Sequence, residues 1–203
     1  MITQQSVISK ETIEQAFTYQ QYRNLLDQLF EEGKTTGPNQ SEAMLEYAKI
    51  NQQRMKRLDK TTKLSEEVLA AVQQLEKKVV WLVLTEGWCG DAAQNLPIIN
   101  KIAEASSNIE LRLILRDENL EIMDAYLTNG GRSIPKLIAL DAETLEELGT
   151  WGPRPEPVQA IVNENREKGT PYHEYSTQIH KWYATDKTLS LQKEMVELMG
   201  KMI

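Results

Sequence analysis

The chain is poor in the residues from which most catalytic sites and covalent staples are made. Among its 203 residues there is one cysteine, Cys89, and there are two histidines. A single thiol cannot close an intramolecular disulfide, which excludes a disulfide scaffold and fits a reducing cytoplasm. Any thiol chemistry must then be done by one sulfur or with a partner molecule. His173 and His180 stand seven apart on a predicted helix, so their Cα atoms are about 10 Å apart along its axis. One metal ion with ligands at about 2 Å would not readily take both, and no metal or other cofactor is expected. A phosphate-cradling glycine loop is also missing, because Asn129-Gly130-Gly131 lacks both the spacing and the helix context.

Long apolar runs are absent too. The longest, Val79 to Leu84, is about a third of what a bilayer-spanning helix needs, and Met1 to Gln15 is polar where a signal peptide would be apolar. No membrane association is expected. Lys and Arg number 23 against 30 Asp and Glu, for a net charge of −7. Phosphate neutralisation needs clustered cations, so no nucleic-acid surface is expected either. The short group Arg54, Lys56, Arg57, Lys60 and Lys63 reads as the solvated face of a helix.

What is present is a change of hydrophobic period along the chain. Thr12 to Phe30 places Ile13, Phe17, Tyr22, Leu25, Leu26 and Leu29 mostly on one helical face, and Ser41 to about Asp59 repeats the pattern with Met44, Ala48, Met55 and Leu58. Ser65 is a predicted N-cap, with Glu66 and Glu67 in the first turn ahead of Val68, Leu69, Val72 and Leu75. From Val79 the period is that of strands: 79–84, 111–115, 136–140 and 145–148, the last two joined by the polar turn Asp141 to Thr144. Helices are expected between the first three, over 91–105 and over 119–127 with Asp117 as cap, and again over 158–168, 172–183 and 188–202.

This order predicts an α/β fold with a mixed sheet flanked by helices: one right-handed parallel crossover, then an antiparallel hairpin. The expected organisation is a helical N-terminal extension (1–76), a core (77–152) and C-terminal helices (153–203) packed on that core. The stripe Leu191, Met195, Leu198 and Met202 suits packing on the chain's own domain, or, as a Met-rich face, a partner protein.

Trp88-Cys89-Gly90-Asp91-Ala92 sits where the first strand gives way to a helix. A thiol at a helix start meets unpaired N–H groups and a dipole that favour the thiolate, so a lowered pKa is expected. Asp91 puts a carboxylate beside it, with an effect of either sign. Pro97 follows inside the helix, and Ile134-Pro135, before the third strand, is a candidate cis peptide that would leave backbone groups of Ile134 free to pair with an incoming chain. Trp151-Gly152-Pro153-Arg154-Pro155 reads as a rigid exit from the sheet; alternatively Trp151 and Arg154 flank the thiol and receive an acidic or thiol-bearing ligand.

These pieces together, with the hairpin and Gly149, resemble the thioredoxin superfamily over residues 77–152, and more narrowly the uncharacterised bacterial thioredoxin-like proteins that share the Trp-Gly-Pro-Arg-Pro string. Here Trp-Cys-Gly-Asp-Ala replaces Trp-Cys-Gly-Pro-Cys. The resemblance implies that Cys89 is the attacking thiol and that Trp88, Gly90, Ile134 and Pro135 form the docking surface. Ala92 stands at the resolving position and Val83 where the family often has a buried acid. The implied activity is monothiol thiol–disulfide exchange through Cys89 with protein or low-molecular-weight thiols or disulfides as partners, resolved by an external thiol. The alternative is a non-catalytic binding or scaffold protein that uses the Ile134-Pro135 groove, with the helical extensions as a partner interface.

Overall fold

The computed structural model describes residues 7–203; residues 1–6, the start of the expected N-terminal extension, lie outside the described residues. The apolar run forms β1 (Val79–Thr85), every residue of which is buried. Such a strand has no polar face because the sheet is covered on both sides. It pairs in parallel with β2 (Ile109–Leu115) and antiparallel with β3 (Lys136–Asp141), which pairs with β4 (Glu147–Trp151), giving the order β2-β1-β3-β4. This is the mixed sheet that the sequence predicts. The fourth strand begins two residues later than expected. Asp141 Oδ1 accepts the Glu143 and Thr144 N–H groups and the Thr144 hydroxyl, and Leu145, at φ 60°, belongs to the turn so fixed.

Before the sheet come α1 (Lys10–Gln15), α2 (Tyr19–Glu31), α3 (Glu42–Thr61) and α4 (Glu66–Gln74). The single helix expected over 12–30 is two. Thr18 caps α2 with a reciprocal pair of bonds to Gln21, and Phe17 leaves the helical path to exchange two backbone hydrogen bonds with Leu113, each 2.8 Å. That bridge occupies part of the open edge of β2, where unpaired N–H and C=O groups would otherwise invite another chain. Ser65 caps α4 as the sequence places it, accepting the Val68 N–H, and α3 begins after Ser41, whose side chain makes no cap bond.

The crossover is α5 (Gly90–Glu104), and α6 (Leu120–Ala125) precedes β3. Asp117 does not cap α6. It lies in a 3-10 turn over Arg116–Glu118, and Asn119 takes the cap position. The chain closes with α7 (Glu156–Glu167), α8 (Tyr172–Asp186) and α9 (Leu189–Met199). One apolar core runs from Ile8 to Met202 and includes Met55, Leu96, Leu113 and Met195, while α7 and α8 pack on each other through Val158, Val162, Tyr175 and Ile179. The stripe of α9 is covered by α4, α5 and β4 of the same chain, so it is spent on self-packing. No helix among the described residues is long and apolar enough to cross a membrane.

Candidate functional site

Strand β1 ends at Thr85, and Glu86-Gly87-Trp88 carries the chain to Cys89, the N-cap of α5. The thiol is therefore at the helix start, as expected. Its Sγ accepts the Ala92 N–H at 3.4 Å and donates to the Ile134 carbonyl at 3.3 Å. The Ile134–Pro135 bond is cis, and so is Gly152–Pro153.

The expected lowering of the thiol pKa is overturned. Cys89 is 8% exposed, and burial, followed by the charge of Asp91, pushes its pKa up to about 12, against opposing contributions from the Ala92 and Asp91 N–H groups and Arg154. The magnitudes explain the sign. A helix dipole contributes at most about 2 kcal/mol even in favourable partly buried geometry, whereas full burial of an ionisable group is worth up to 3–5 pKa units, at about 1.4 kcal/mol each. Near neutral pH the sulfur is a thiol that donates a hydrogen bond.

Asp91 is tied down. Its Oδ2 accepts Arg154 Nε at 2.9 Å and Nη2 at 2.6 Å, and its Oδ1 accepts the Tyr183 hydroxyl at 2.8 Å. Asn95 also donates to the Tyr183 oxygen. The Tyr183 pKa lies well above 10, through burial first and Asp91 second. This network fastens α8 and the segment after β4 to the start of α5. The alternative reading of Trp151 and Arg154 as ligand receivers accordingly loses support: the Trp151 indole is bonded to Glu194 at 2.6 Å, and the Arg154 fork is taken by Asp91.

Around the thiol lies a cleft of about 440 Å³. Trp88, Cys89, Gly90, Asp91, Ser133 and Ile134 line it, and Pro135, which is buried, does not. The other walls come from Met44, Tyr47, Ile50 and Arg54 of α3, from Tyr172, His173, Ser176 and His180 of α8, and from Arg116, Arg132 and Arg154 of the loops around the sheet. Arg54 is a correction to the sequence reading. Lys56, Arg57, Lys60 and Lys63 are exposed as expected, but Arg54 is half-buried. Its Nη1 donates to Asn51 Oδ1 at 3.1 Å, and its Nη2 lies 3.3 Å from both ring nitrogens of His180. Buried Asn51 in turn donates to the Gly87 carbonyl. Gly90 permits this approach, since a Cβ there would stand 3.3 Å from Arg54 Nη1.

Two further residues were not legible as site components. Arg116 lies over the Trp88 ring, 4.9 Å from its centroid, and fixes that indole by a cation–π contact. Glu86, three residues before the thiol, is 1% exposed and accepts the Asp117 N–H; burial raises its pKa. For α3 and α8 the usable signal is spacing: Tyr47, Ile50 and Arg54, and likewise His173, Ser176 and His180, recur at three and four, so each set shares a helix face. No group of metal-ligating side chains occurs among the described residues.

A search of curated proteins finds no match. Among solved structures, the chain is similar to a protein of unknown function from Pseudomonas aeruginosa, with 20% identity, a TM-score of 0.57, and coverage of 91% of this chain and 98% of that one. It is also similar to an HIV epitope-scaffold, with 19% identity, a TM-score of 0.54, and coverage of 86% and 96%. At these identities the likeness is one of fold. The model of a thioredoxin family matches residues 37–170, more than half of the chain and wider than the 77–152 on which the resemblance rests. With the mixed sheet, the thiol at the start of α5 and the cis Ile134–Pro135 loop in place, the chain belongs to the thioredoxin family.

Proposed function

We propose that this protein is a binding member of its family, and that Cys89 forms the floor of a ligand cleft rather than a nucleophile. The observation that carries this reading is the state of the sulfur. It is buried, it is bonded to the Ile134 carbonyl, and its pKa is pushed up to about 12. The thiolate is the attacking species, and at pH 7 such a group supplies almost none. The neighbourhood agrees. Ala92 at the resolving position is 1% exposed and carries no sulfur, and the Ile134 carbonyl, which would pair with a docked chain, already accepts a bond from within.

Alkylation by iodoacetamide against pH tests this. Modification of Cys89 is expected to stay slow through pH 9 and to rise only toward 12, while Cys89→Ser keeps the ligands of the wild type. A midpoint at or below the unperturbed value of about 8.5, together with a stable mixed disulfide formed from glutathione disulfide at pH 7 with release of glutathione, would overturn it.

One observation favours the second reading, monothiol exchange resolved by an external thiol: Cys89 lines the open cleft beside Ile134. In that reading a ligand that displaces the Cys89–Ile134 bond would expose and activate the sulfur. The expected signature is a mixed disulfide, formed when the Cys89 thiolate attacks the disulfide of a docked partner and releases its other sulfur as a thiol, that disappears in Cys89→Ser.

A further inference from the structure

The cleft has four arginines on its walls, and they are not equivalent. Arg116 is paired with Asp117 at 2.7 Å, Arg132 with Asp124 at 2.6 Å and Arg154 with Asp91 at 2.6 Å. Arg54 has no carboxylate partner among the described residues; its bonds go to Asn51 and to the imidazole of His180. That imidazole does not compete for an anion as a second cation near neutral pH, because burial and the Arg54 charge hold its pKa below 6.5. The cleft therefore presents one guanidinium with no carboxylate at ion-pair distance among the described residues, though near enough to feel the Asp91 charge, and held in place before any ligand arrives. Such preorganisation spares a ligand the cost of ordering the side chain.

Beside that charge the walls are apolar and open. Tyr47 is 46% exposed, Ile50 41% and Tyr172 54%. A half-buried cation is paired with a negative group far more favourably than it is left alone, and a planar fork matches a carboxylate. A volume of about 440 Å³ is within the usual range for small-molecule sites.

Building on the binding reading above, we propose that the cleft takes a small organic monocarboxylate with an apolar body, its carboxylate on Arg54 and its body against Tyr47, Ile50 and Tyr172. The recognition elements come from α3 and α8, so the specificity belongs to the helices added around the sheet.

The test uses 4-phenylbutyrate and its neutral counterpart 4-phenyl-1-butanol as probes, titrated into the full chain and followed by the amide and indole ¹⁵N shifts of Trp88, Gly90 and Ile134. The acid is expected to bind at least about tenfold more tightly than the alcohol, about 1.4 kcal/mol. Arg54→Gln should remove that preference by weakening the acid far more than the alcohol, Arg54→Lys should keep part of it, and Tyr172→Ala should weaken both probes alike. If acid and alcohol bind equally in the cleft, the carboxylate assignment is overturned and the binding reading stands. If neither probe shifts the cleft resonances, the monocarboxylate proposal is overturned, and the Cys89 alkylation profile alone decides the binding reading. Should Arg54→Gln fail to fold, the acid-to-alcohol ratio of the wild type decides alone.

Discussion

At the scale of single residues, the thiol and its neighbouring carboxylate act in opposite directions from those their types suggest. Cys89 has the position of a nucleophile and the environment of a buried hydrogen-bond donor, because desolvation of the sulfur exceeds what the helix start returns. Asp91 looks like a modulator of that sulfur and is chiefly an anchor, since both of its oxygens are engaged by Arg154 and Tyr183. Replacing it with Asn leaves Arg154, whose side chain is only 13% exposed, without its carboxylate. The expected cost is about 3 kcal/mol, read from urea unfolding, and the same variant should shift the alkylation midpoint of Cys89 downward because a repelling charge is gone. Glu86 gives a pH signature. Burial raises its folded pKa above 4.5, so its contribution to stability is fully present below 4.5 and is lost as pH rises through the folded value. Glu86→Gln should flatten the decline in unfolding free energy as pH rises above 4.5; an unchanged slope would show that this carboxyl does not drive it.

At the scale of elements, the boundaries are set by caps and close backbone approaches. Thr18-x-x-Gln21 is a capping-box signature, and it starts α2 inside what the apolar stripe alone reads as one helix. The stripe continues across the break because Phe17 is partly buried in both descriptions; what differs is that its backbone serves β2 instead of a helix. Thr18→Ala should destabilise the protein by about 1 kcal/mol, measurable in the same denaturation experiment. The exit from β4 is more constrained. Gly152 has φ 111°, and a Cβ there would lie 2.2 Å from the Pro135 carbonyl oxygen. Gly152→Ala must therefore move the Ile134-Pro135 loop or strain the backbone. The expected result is a loss of at least about 2 kcal/mol together with shifted amide resonances at Ser133 and Ile134. A variant with wild-type stability and an unshifted loop would contradict the contact.

At the scale of the molecule, α3 and α9 are structural parts of the core, and α3 with α8 walls the cleft. Met195 of α9 is fully buried in the same cluster as β1 and α5, so Met195→Ala should cost about 2–5 kcal/mol and lower the thermal midpoint of the whole chain in one transition. The strands, the hairpin, the thiol at a helix start and the Ile134-Pro135 turn were legible in the sequence because each is a local pattern: an apolar run, a turn composition, a cap position. From these the α/β class and the family resemblance follow. Arg54 was not legible as a cleft residue, since a cation on an amphipathic helix looks solvated until α8 is folded against it. Nor was the protonation of Cys89, because burial is the sum of what many distant residues cover. Local physics along the chain thus determined where the sulfur is held; the packing of α3 and α8 around it, a matter of long-range contact and local dielectric, decided which charge state it keeps and which charge faces it.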